Sequence, residues 1–156
     1  MKTDLFSATE ALKIFRQLKD QKLEDGMLAL KIFDMVDALT RKAIFLEEEV
    51  NKIISAYKAQ PLDTDHQDMR LVVKREDKTV DEEATKKFID EVVAIRQTDV
   101  EFDIPLFTMD EINSIMKVYK MTPAELGQIR FAIDEKPKAD PEPVVELFTE
   151  PEVTIE

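Results

Sequence analysis

The chain has no cysteine, no tryptophan, one histidine and only two glycines in 156 residues. Without cysteine there is no disulfide framework, thiolate metal site or cysteine nucleophile. His66 alone cannot build a multi-histidine metal site. With glycine only at positions 26 and 127, there is no phosphate loop, dinucleotide fingerprint or hydrolase elbow. Basic charge is also scarce: 34 acids against 22 lysines and arginines leave a net charge of −12, with a pI near 4.6. The longest basic runs are the pairs Arg41-Lys42, Lys74-Arg75 and Lys86-Lys87, each with acids close by. Such a chain lacks the clustered cations that neutralise nucleic-acid phosphates or an anionic membrane surface. No apolar run is long enough to span a bilayer, and the start, with Asp4 inside it, has no secretory core. The expected partners are therefore proteins, with no nucleic acid and no membrane.

What is present is 44% apolar residues and 36% charged ones. That is enough for a core, and with so little glycine it favours helices. The expected fold is mainly α with a small β element: a helical hairpin with one long helix, a third packed helix, short strands and an extended acidic tail. Ser7-Ala-Thr-Glu10 reads as a capping box, opening a helix with Ala11, Leu12, Ile14, Phe15 and Leu18 on one face and ending near Leu23. Met27 to Tyr57 contains neither proline nor glycine. Leu28, Ile32, Met35, Leu39, Leu46, Val50, Ile53 and Tyr57 recur there at three- and four-residue spacing, a coiled-coil-like seam. Leu30, Phe33, Val36, Ile44 and Phe45 are expected to widen it. A helix of roughly 45 Å outruns a compact domain of this size, so part of it must project, pair with another helix or meet a partner. Leu39 and Leu46 are expected against the third helix or a second subunit, making a homo-oligomer possible.

After Pro61, residues 62–68 read as a turn and 69–75 as a strand. Thr79-Val-Asp-Glu82 is a second capping box, before a helix with Ala84, Phe88, Val92 and Ile95 on one face. Val100, Phe102, Ile104 and Leu106 alternate with polar residues or proline as a half-buried strand, which is expected to pair with 69–75. Thr108-Met-Asp-Glu111 and Thr122-Pro-Ala-Glu125 are two more boxes, the latter with proline at the first helical position.

No metal or cofactor site is expected. Glu47-Glu48-Glu49 fan about 100° apart on a helix and cannot converge on one ion. Asp63, Asp65 and Asp68 lack the glycine and distal glutamate of a calcium loop. His66, beside Asp65 and Asp68, has no nucleophile or oxyanion donors to serve. No catalytic residues are assigned, and the chain is not expected to be an enzyme.

The body is expected over 1–134 and a proline-containing acidic tail over 135–156. Residues 134–156 hold eight acids and two lysines, half of the net charge. Val144, Val145, Leu147 and Phe148 follow prolines 137, 141 and 143. They are the candidate partner-binding residues: an extended apolar segment that enters a groove or adds a strand to an edge, such as that beside Val100–Leu106.

Thr98-Asp-Val-Glu-Phe-Asp-Ile-Pro105 and Met121-Thr-Pro-Ala-Glu-Leu-Gly-Gln-Ile-Arg-Phe131 resemble a family of small, uncharacterised proteins encoded by tailed bacteriophages and prophages. The resemblance covers Leu5 to Ile133 in the order of elements and those two segments in residues. It implies a phage origin and a non-enzymatic role in or around the virion: a minor head–tail or tail component, or an assembly factor, in the virion or the host cytoplasm. The alternative from another class is an acidic inhibitor that binds a host protein by mimicking nucleic-acid charge. The family supplies no site residues.

Overall fold

The computed structural model describes residues 1–135. A short strand β1 (Lys2–Asp4) runs into α1 (Leu5–Lys19), and a tight turn leads into α2 (Gly26–Tyr57). A hairpin of β2 (Gln60–Asp63) and β3 (Asp68–Val72) follows, then α3 (Glu82–Arg96), β4 (Asp99–Glu101), α4 (Met109–Val118), α5 (Pro123–Gln128) and a 3₁₀ turn over Arg130–Ala132. The chain is mainly helical with a small β element, as its composition leads one to expect.

The helices start where side-chain oxygens satisfy the free amides of the first turn. Asp25 caps α2 by accepting from the amides of Met27 and Leu28. Thr108 and Thr122 form full capping boxes with Glu111 and Glu125. The other two starts differ from expectation. The cap of α1 is Asp4, which accepts from the Ser7 amide; Ser7 lies inside the helix, which stops at Lys19 rather than near Leu23. The cap of α3 is Asp81, while the Thr79 hydroxyl donates to Asp77 at 2.6 Å. In each stretch several cap-competent residues crowd together, and backbone pairing chooses between them. Here β1 pairs with β4 and the Leu5 amide donates to the Thr98 carbonyl at 3.0 Å, which fixes Asp4 as the last extended residue.

The strands also pair otherwise than expected. β1 is antiparallel to β4, with Lys2 opposite Glu101 and Asp4 opposite Asp99. β2 is antiparallel to β3, with Gln60 opposite Val72 and an irregularity between Pro61 and Asp63. The 69–75 and 100–106 regions therefore belong to separate two-stranded sheets. A four-residue turn lets 60–63 fold back on its neighbour at little loop entropy, and the three-residue β1 is too short to leave a periodic trace.

The main core lies between α1, the first half of α2, α4 and α5. Phe15, Leu18, Leu28, Ile32, Met35, Leu39, Phe107, Ile115 and Ile129 are almost fully buried in it. The second half of α2 runs past this core and lies on α3, where Leu46, Phe88 and Val92 are buried and Tyr57 meets Phe88 edge to face at 5.8 Å. The excess length of a 32-residue helix is thus taken up by a second, smaller contact. Ala84 and Ile95 are half-buried on the same face of α3.

Candidate interaction surfaces

Four of the five residues expected to widen the α2 stripe turn outward. Leu30 is 59% exposed, Phe33 55%, Ile44 50% and Phe45 48%; only Val36 is buried. At 100° per residue, Leu30, Phe33 and Ile44 stand about 180°, 120° and 140° around the helix from Leu39. They therefore form a second apolar row, on the side away from α1. Asp37 and Arg41 sit within that row and pair at 2.6 Å, both well exposed. The signal was in the sequence as angular position, which a count of apolar residues at three- and four-residue spacing overlooks.

This face is firmly held along one border. Lys31 donates to Glu111 at 2.8 Å and to the Leu106 carbonyl at 2.9 Å. Its ammonium stands 4.5 Å from the centre of the Phe107 ring, so the cation is satisfied by a carboxylate, a carbonyl and a π face. Those contacts tie α2 to α4 and fix the orientation of the outward row.

A second surface is an open groove of about 520 Å³ between α4 and α5, lined by Ile112, Met116, Leu126 and Ile133 among others. At its rim Arg130 grips Glu135 with two bonds, 2.7 and 3.1 Å long, and the guanidinium holds the Glu135 carboxyl below its usual range. On α5, Glu125 accepts from the Thr122 amide at 2.9 Å and from the Tyr119 hydroxyl at 3.1 Å. The Thr122 amide is the main reason that its carboxyl is also lowered. The Tyr119 hydroxyl further reaches Gln17, joining α4, α5 and α1.

The edge beside 100–106 is already partly used. β1 pairs with residues 99–101, and Phe107 bridges Ile133 through bonds of 2.7 and 2.8 Å. Val144, Val145, Leu147 and Phe148 lie outside the described residues.

The other candidates stay apart. Glu47 and Glu48 point to solvent, and Glu49 pairs with Lys52 at 2.7 Å. His66 is exposed in the β2–β3 turn, its Nδ1 2.6 Å from Asp63 rather than beside Asp65 and Asp68. Among the described residues no group of three or more histidines and acids converges as a metal site, and no helix is long and apolar enough to cross a membrane. Comparison with protein-family models, curated proteins and solved structures finds no match for this chain.

Proposed function

We propose that the protein acts by binding other proteins rather than by transforming a substrate. In this reading it is a structural or interaction protein of phage type, a minor head–tail or tail component or an assembly factor. The observation that carries the reading is the outward row of α2. A helix that already buries one face in the core also presents Leu30, Phe33 and Ile44 to solvent, and large apolar side chains grouped on one face mark interaction sites. The resemblance of residues 98–105 and 121–131 to phage proteins supplies the setting, with Val144, Val145, Leu147 and Phe148 as a further contact segment.

The test is quantitative mass spectrometry of purified particles from the phage or prophage that encodes the chain. A virion component is present at a fixed ratio to the major proteins through successive gradients. Absence from particles, with the chain found early in lysate on a host protein, contradicts the virion role and favours the acidic inhibitor. The net charge of −12 is the feature that supports this second reading.

A further inference from the structure

We infer that the outward face of α2 is a self-association surface, and that its occupant is a second copy of this chain lying antiparallel across a two-fold axis close to Leu39. The inference deepens the interaction-protein reading and rests on it for its biological meaning.

The middle of the face, from Phe33 to Ile44, is its own complement in reverse. Leu30, Phe33, Asp37, Arg41, Ile44 and Glu48 recur at spacings of three and four and share the side of α2 away from the core. Asp37 stands two residues before Leu39 and Arg41 two residues after it. Phe33 stands six before and Ile44 five after. A two-fold axis at that point reverses one helix on the other. It brings Asp37 opposite the partner's Arg41, and Phe33 opposite the partner's Ile44, each pairing occurring twice; at the two ends Leu30 meets the partner's Glu48, whose stem can cover the leucine while its carboxylate stays in solvent. Within one chain Asp37 and Arg41 already pair at 2.6 Å, and a guanidinium has donors left for a second carboxylate. The two pairs would close into a ring of alternating charges between two apolar patches.

Charge also selects the orientation. Parallel helices would set Asp37 against Asp37, Arg41 against Arg41 and Glu48 against Glu48, three like-charge meetings that antiparallel packing avoids. An isologous contact of this kind closes at two copies and leaves no open end. From Leu30 to Glu48 the face runs roughly 27 Å. Two helices in contact over that length bury on the order of 1,000 Å² in total, the low end for specific interfaces. The dimer should therefore be reversible.

Sedimentation equilibrium of the full chain, from about 1 to 300 μM, spans the range expected for an interface of that size. The mean mass should rise with concentration from 18.0 kDa toward twice that value. Phe33→Glu and Ile44→Glu should keep the chain monomeric with an unchanged circular dichroism spectrum, since both positions are exposed. Asp37→Arg and Arg41→Asp should each weaken the dimer by about tenfold or more, because like charges then meet. The double variant Asp37→Arg/Arg41→Asp should restore it, because swapping both signs keeps the pairing. A chain that stays monomeric at the highest concentration overturns the inference, whether residues 136–156 or another protein covers the face. So does a dimer indifferent to Phe33→Glu, or a double variant no better than the single ones. A monomer would leave the particle assay's result standing, and absence from particles would leave the dimer standing.

Discussion

The rings of Phe15 and Phe107 meet with centroids 5.5 Å apart and planes tilted by 34°. Phe15 belongs to α1, whereas Phe107 sits in the extended stretch before α4, held on both sides by backbone bonds to Ala132 and Asp134. This contact joins the N-terminal helix to the last described turn. Phe107→Ala should cost about 3–5 kcal/mol, the usual range for a buried aromatic truncated to alanine. It should also loosen the 3₁₀ turn, seen as faster exchange of the backbone amides at positions 107 and 134. A melt unchanged by the substitution would show that Phe107 does not lock the two ends together.

The two faces of α2 should respond in opposite ways. Leu39 is fully buried in the main core with residues of α1, so Leu39→Ala should lower stability by about 2–5 kcal/mol. Leu30→Ala, on the outer face, should change monomer stability by no more than about 0.5 kcal/mol. Denaturant midpoints at low protein concentration measure both. Equal losses at the two sites would mean that the outward row is packed against something within the chain.

The α2 element was the most legible part of the sequence, because 31 residues from Met27 to Tyr57 without proline or glycine leave few alternatives to a helix. The threonine capping boxes of α4 and α5 were equally clear, each having a single hydroxyl and a single glutamate at the right spacing. At Asp4 and Asp81 the same logic chose the wrong cap, since the deciding interactions are backbone bonds that composition does not carry. Phe107 was missed as a core residue because it lies just beyond an alternating pattern, in a segment fixed by a bridge to Ile133. Which helix face would be left outside was open for a different reason. Angular position separates the two apolar rows of α2 in the sequence, but only the positions of α1 and α3 decide which row is buried.

Acid should loosen the α4–α5 end. The Thr122 amide holds the Glu125 carboxyl down, and Arg130 does the same to Glu135. Each folded-state value thus lies below the unfolded one, near 4.3 for glutamate. The stabilisation is present above that unfolded value and is lost as pH falls through the lower folded one. At the alkaline end Tyr119 is raised, by burial first and then by its bond to Glu125; its contribution is present below the ordinary tyrosine value and lost as pH rises through the folded one. In an NMR titration from pH 7 to 3, the Thr122 amide should shift as Glu125 takes up its proton, and Glu125→Gln should remove that step. A Thr122 amide indifferent to acid would contradict the capping box.

Duplex DNA and RNA should not bind at physiological salt. Beyond the net charge of −12, basic residues that form the short runs have acids nearby: Lys87 faces Glu83 at 3.6 Å and Arg75 faces Asp81 at 3.9 Å. With acids in this excess, the phosphate contacts that release counterions are opposed by repulsion. A gel shift that saturates and weakens with salt would contradict this, and Lys74, Arg75, Lys86 and Lys87 would be the first positions to neutralise.

The most direct measurement of the central claim, that the outer row of α2 is a contact surface for a second copy, is hydroxyl-radical footprinting across a dilution series. Phe33 and Ile44 should be labelled freely when the chain is dilute and become protected as its concentration rises. Met69 and Val118, exposed elsewhere at 61% and 44%, should be labelled equally throughout and serve as internal controls. Labelling of Phe33 and Ile44 that stays at the level of these controls at every concentration would contradict the claim.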